Sequence, residues 1–208
     1  MNTDLYAEFR ARNDGRTPAD RFRPREVIDH KMVHDGILWD VVVDEIDLGH
    51  SVVRREYLDH PSAVAVIATR PNPESGAEQV LLIRQYRHPV RADLWEPPAG
   101  LLDVAGEDLA VAAARELAEE ADLVADQWSV LVDYVTSPGG SDEGIRIYLA
   151  TQVRPAQETF KRVDEEADIV TAWFDLDTLV EAILDGRLHN PSTVVGVLAL
   201  AARRARGD

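Results

Sequence analysis

Residues 97–123, PPAGLLDVAGEDLAVAAARELAEEADL, change character halfway along. Two prolines and Ala99-Gly100 open a turn, and a loop follows as far as Gly106. From Glu107 the composition shifts to Ala, Leu, Glu and Arg, the residues that favour helix most strongly. Ala110, Ala113, Ala114, Leu117 and Ala121 are expected to form the buried stripe of that helix. Glu116, Glu119 and Glu120 stand at i, i+3 and i+4, which sets three carboxylates on a separate face within one turn.

Such a cluster is costly. Two carboxylates about 5 Å apart repel by roughly 3 kcal/mol at an effective dielectric near 20. A hard divalent cation reverses the sign, because Mg²⁺ takes oxygen ligands and keeps waters for a substrate phosphate. A solvated acidic helix face is the alternative for Glu-x-x-Glu-Glu alone. The glycine-containing loop and Arg115 ahead of it favour the cation.

The stretch resembles the Nudix box, the signature of the Nudix hydrolases. It runs Gly100, six residues, Glu107, seven residues, then Arg115-Glu116-Leu117-x-Glu119-Glu120-x-Asp122-Leu123. It departs from the family pattern by one extra residue between Gly100 and Glu107 and by Asp122 in place of a glycine. The insertion falls in a loop, where added length costs little. Asp122 falls where a helix ends in the left-handed conformation, which Asp tolerates.

The chain has 208 residues, 45% hydrophobic and 29% charged, ordinary globular composition for one domain plus an extension. No apolar run approaches membrane-spanning length, MNTDLYAEFRAR lacks a signal-peptide core, and cysteine is absent, so a cytoplasmic location is expected. The formal charge of −16 speaks against nucleic acid, which requires a basic surface. It leaves a small anionic substrate open.

Working outward, residues 1–24 read as a polar arm that Leu5, Tyr6 and Phe9 would dock. ILWDVVVDEIDL and SVVRREYL read as strands, with a hairpin signal at Asp35-Gly36. AVAVIAT and QVLLIRQYR are near-continuous apolar runs, expected to be strands buried on both faces. Beyond the central helix come the strand QWSVLVDYVTS, the loop SPGGSDEG and the strand IRIYLATQV. The charged loop PAQETFKRVDEEAD then leads into IVTAWFDL. Thr178 and Glu181 suggest a capping box for a helix ending at Gly186, and Asn190-Pro191 caps the last helix. Strands dominate and three helices are expected, which makes the class α+β with a mixed sheet between helices. The resemblance implies a Nudix α/β/α sandwich over residues 61–208. It also implies that residues 1–60 form an arm and a β-rich dimerisation region, as in the ADP-ribose pyrophosphatase branch.

The resemblance further implies Mg²⁺ or Mn²⁺ held by the Ala99 carbonyl, Glu116 and Glu120, with Glu119 a ligand or beside them. Glu107 and Arg115 would support the loop through an ion pair. Arg87 matches a position that reaches substrate phosphate, where a guanidinium donates two parallel bonds. Glu96 matches a residue that bonds the nucleoside end, and Arg55 one that meets adenine across a dimer. Trp39 is either an aromatic platform opposite Arg55 or a core residue. The six histidines show no metal-ligand spacing and read as structural or surface residues.

A carboxylate bound to a cation is a poor proton acceptor, so the general base should lie outside the helix. Two loops qualify, one with Glu143 behind two glycines, the other with Glu165 and Glu166. Glu143 is favoured, because its loop matches the corresponding one of the ADP-ribose pyrophosphatases. The activity implied is hydrolysis of ADP-ribose to AMP and ribose 5-phosphate by a homodimer. Alternatives are hydrolysis of another nucleoside-diphosphate sugar and ligand binding without hydrolysis.

Overall fold

A computed structural model describes residues 3–11, 18–104, 106–157, 159–160 and 168–207. The chain forms two compact units, Met1–Ser62 with Tyr134–Gly144, and Ala63–Asp133 with Ile145–Asp208.

The first unit contains α1 (Thr3–Ala11), β1 (Glu26–His34), β2 (Asp40–Asp47) and β3 (Val52–Asp59). The three strands form an antiparallel sheet in chain order, with Asp44 opposite both His30 and Arg55. Residues 3–11, read as part of an arm, form α1, a fourth α-helix among the described residues where three were expected. Leu5 and Tyr6 are buried, and Tyr6, Phe9 and Phe22 pack ring against ring. A side chain at Gly144 would meet Leu5, Phe9 and Tyr6 within 3.5 Å, so glycine is what lets the helix seat there.

The second unit carries β4 (Ala63–Pro71), β5 (Glu78–Arg87), β6 (Ala92–Glu96), β7 (Ala99–Leu101) and α2 (Leu109–Ala121). It continues with β8 (Leu123–Val135), β9 (Gly144–Pro155), β10 (Val170–Asp175), α3 (Leu176–Leu184) and α4 (Pro191–Ala205). Its mixed sheet runs β10-β5-β4-β9-β8, with β4 and β9 parallel. Both long apolar runs fold as expected: Ala63–Thr69 and Val80–Ile83 are continuously buried. Arg146 on β9 is almost fully buried and forms two parallel bonds, of 2.9 and 3.0 Å, with Asp133 on β8.

Strands β4 and β5 pair only at their hairpin end, Thr69–Pro71 with Glu78–Val80. Past that point they diverge. Strand β6 then pairs with β5 from Ile83 to Arg87, and β7 pairs with β4 from Ala63 to Ala65. The link between β6 and β7 is Pro97-Pro98, and the Pro98 carbonyl accepts the Val66 N–H at 2.8 Å. Proline offers no N–H to a ladder, which suits a segment that leaves one strand for another.

Helix α2 has Asp108 as its N-cap, accepting the Ala110 N–H, and ends at Asp122, whose φ of 53° is the left-handed conformation expected there. The buried stripe differs from the expected one. It comprises Leu109, Ala112, Ala113, Leu117 and Glu120, while Ala110, Ala114 and Ala121 are only half-buried. The helix is turned so that a carboxylate ends its inner face.

Helix α3 is not capped by Thr178 and Glu181. Asp175 is the N-cap, and its carboxylate accepts bonds from Asn72 and Gln79 instead of the helix. Asn190 caps α4 as expected, accepting the Thr193 N–H with Pro191 in the first turn. Gly196 on α4 lets the helix approach the sheet, because a Cβ there would lie 2.8 Å from Ile67 and 3.3 Å from Ile147. Gly196→Val should therefore cost about 1–3 kcal/mol by overpacking, read as a lower urea midpoint with an unchanged slope.

Candidate active site

The acidic face of α2 is held by one guanidinium. Arg115 bonds Glu107 through Nε at 3.2 Å and Nη2 at 3.1 Å, and through Nη1 reaches Glu116 at 2.6 Å and Glu119 at 3.1 Å. A planar fork with five donors can serve three carboxylates at once, which a lysine cannot. The bonds to Glu107, and then the charge of Glu116, raise the Arg115 pKa above its ordinary value against the opposing effect of burial.

Glu120 is buried and accepts the Ala99 N–H at 2.8 Å. Glu116 lies against Gly100, where any Cβ would overlap its carboxylate. Two carboxylates one helical turn apart therefore flank the Ala99–Gly100 backbone, and Glu119 stays beside them on Arg115. These are hard oxygen donors around a position where glycine leaves the room, a set that suits a hard divalent cation. Among the described residues no three acidic or histidine side chains converge to ligating distance. Arg115 holds two of the carboxylates in this arrangement.

Arg87 and Glu96 are brought together across the β5–β6 pair. The guanidinium gives Glu96 three contacts of 2.7–3.1 Å, with Glu96 buried and Arg87 half-exposed at the end of its strand.

The remaining candidates lie in the first unit. Arg55 sits exposed on β3 and donates to the Arg54 carbonyl at 2.8 Å. Trp39 stacks on the His60 ring, with centroids 4.3 Å apart and planes 17° from parallel. Glu143 accepts the Thr136 hydroxyl at 2.6 Å on one oxygen, and His60 Nε2 stands 3.4 Å from the other. Burial lowers the His60 pKa, opposed by the charges of Glu143, Asp142 and Asp59. Glu165 and Glu166 lie outside the described residues.

The glycine-containing loop before Glu143 is pinned. Leu58 N–H bonds the Gly140 carbonyl at 3.0 Å, His60 N–H bonds Asp142 Oδ1 at 2.9 Å, and Tyr6 Oη donates to the Asp142 carbonyl at 2.9 Å. Tyr6, Leu58 and His60 fix the segment behind its two glycines. His60, one of the histidines read as structural or surface residues, is buried beside Glu143, a pairing the sequence reading did not foresee. Its place before Pro61, at the turn into β4, was the only hint.

A NUDIX domain family model matches residues 59–193. The chain belongs to the NUDIX family. The Nudix hydrolase is 40% identical to an ADP-ribose pyrophosphatase of Mycobacterium tuberculosis over 85% of this chain and 83% of that one. It is 32% identical to a methanol dehydrogenase activator of Bacillus methanolicus, over 86% of this chain and 94% of that one. The crystal structure of an ADP compounds hydrolase superposes with a TM-score of 0.71, covering 91% of this chain and 99% of its own at 17% identity, which shows the shared fold. Nudix hydrolases generally need a divalent metal.

Arg115→Lys should lower stability by about 1–2 kcal/mol through lost charge-assisted bonds. Guanidinium chloride unfolding checks this, and a midpoint equal to that of the unaltered chain would contradict the three-carboxylate arrangement.

Proposed function

We propose that this Nudix hydrolase cleaves ADP-ribose to AMP and ribose 5-phosphate. The observation that carries the reading is the carboxylate set of α2 turned onto Ala99–Gly100, in a chain 40% identical to an ADP-ribose pyrophosphatase. Glu116, Glu120 and the Ala99 carbonyl would hold Mg²⁺ or Mn²⁺, with Glu119 a further ligand or beside them. When bound, the cation neutralises diphosphate charge and makes water a better nucleophile at neutral pH.

The chain's own groups do the rest. Glu143 takes a proton from the attacking water. As the water oxygen bonds to phosphorus the bridging P–O bond breaks, and the departing oxygen leaves as part of a phosphate. Arg87, fixed by Glu96, supplies guanidinium N–H groups to a phosphate, and Glu96 lies at the nucleoside end. Positioning of this kind can account for several kcal/mol of the barrier.

We also propose that the chain works as a homodimer through its N-terminal β-region. All nine residues of β1 are exposed, and Val27, Ile28, Met32 and Val33 are each about half-exposed. Such a strand is an unprotected edge unless something covers it. Arg55 would then contribute to the partner's nucleoside site, with Trp39 a weaker candidate because His60 already occupies one face of its ring.

The test is product analysis across a panel of nucleoside-diphosphate sugars with and without Mg²⁺. ADP-ribose should be turned over fastest, and only with metal. Glu120→Gln preserves shape while removing charge and should cut turnover by about 100-fold or more. Near-normal Mg²⁺-dependent turnover in that variant would contradict the metal assignment. Arg55→Ala should raise KM while the dimer persists; an unchanged KM would remove Arg55 from the site.

A further inference from the structure

Glu143 ends a chain of hydrogen bonds whose directions can be read in order. Gly144 N–H donates to Ser62 Oγ at 3.2 Å, and Ser62 N–H donates to His60 Nδ1 at 2.9 Å. Ser62 holds a φ of 71°, a left-handed conformation uncommon for a non-glycine residue, and this turn is where its amide meets the imidazole. Because Nδ1 faces an N–H, it carries no proton, and the single ring proton sits on Nε2. That nitrogen stands 3.4 Å from Glu143 Oε1. Thr136 donates to Oε2 at 2.6 Å, while its N–H bonds the Glu143 carbonyl at 3.1 Å. Trp39, stacked on the imidazole, holds the plane of the ring.

We propose that His60 is a positioning residue for Glu143, its Nε2 standing 3.4 Å from one carboxylate oxygen while Thr136 holds the other. This rests on the reading of Glu143 as the base. The arrangement also fixes where the proton can go. With Nδ1 occupied by Ser62 and Nε2 already protonated, the imidazole cannot take the proton that Glu143 receives from water. His60 orients the carboxylate. Glu143 returns its proton to the departing phosphate or to solvent.

Two substitutions separate this role from a merely structural one. In His60→Asn the shorter amide places an oxygen near the Nδ1 position, keeping the Ser62 bond but losing the donor toward Glu143. In His60→Gln the longer amide places an N–H near the Nε2 position. With ADP-ribose and Mg²⁺, His60→Asn should lose about 10- to 100-fold in kcat with KM little changed. His60→Gln should recover most of that kcat. The reverse order, with Asn active and Gln impaired, would overturn the proposal, since it would mean His60 matters only for holding the turn.

Glu143→Gln, assayed alongside, keeps the two readings apart. If it retains turnover, Glu143 is not the base and the underlying reading fails. If it loses turnover while His60→Asn keeps kcat, only the positioning role fails. Should both His60 variants unfold, nitrogen NMR of the imidazole in the unaltered chain gives the answer. A ring protonated at Nε2, whose Nε2 resonance shifts in Glu143→Gln, supports the proposal. A ring protonated at Nδ1, or one indifferent to Glu143→Gln, overturns it.

Discussion

A single guanidinium among carboxylates is the constraint on which the candidate site depends. Helix α2 carries Glu116, Glu119 and Glu120 within one turn, and their mutual repulsion works against the helix. Arg115 offsets that repulsion from within the helix and ties it to Glu107 at the end of the preceding loop. The ion pair thereby sets where the loop after Gly100 returns to the helix. A cation held on this face, as proposed, would compete with Arg115 for Glu116 and Glu119, while Glu120 accepts the Ala99 N–H.

The sheet supplies the other half of the geometry. Where β4 and β5 part, β6 and β7 fill the opening, and the two prolines between them turn the chain from one strand to the other. Glu96 ends β6 and Ala99 begins β7, so the Arg87–Glu96 pair and the Ala99–Gly100 backbone stand at the two sides of this fork. A flat continuous sheet would leave no backbone amide at this point for Glu120. The buried runs of β4 and β5 hold the diverging strands, and the absence of a side chain at Gly100 leaves space for Glu116.

Much of this was legible in the sequence. The carboxylate spacing, the loop before it, the left-handed Asp122, the two buried apolar strands and the Asn190 cap all follow from local rules, and the structure has them. The resemblance added what local rules cannot, the family and its fold. The misses have physical causes. The stripe of α2 was placed by counting apolar residues, but Glu120 is drawn inward by a backbone amide that only the fold brings near. Thr178 and Glu181 match a capping pattern, yet the helix begins at Leu176 because Asp175 ends β10 directly before it. Arg146 is buried by its pairing with Asp133, which only the fold brings beside it. His60 is buried by partners from distant positions, Trp39 and Glu143, and no spacing rule announces that.

The central claim is that the α2 carboxylates and the Ala99–Gly100 backbone form the cation site, opened by exchange of Arg115 for metal. The most direct measurement is a crystal structure with Mn²⁺ and a non-hydrolysable ADP-ribose analogue, using the anomalous signal to locate the metal. The account predicts manganese bound by Glu116, Glu120 and the Ala99 carbonyl, with Arg115 released from Glu116 and still paired to Glu107. Manganese bound elsewhere, with the Arg115–Glu116 contact intact, would contradict it.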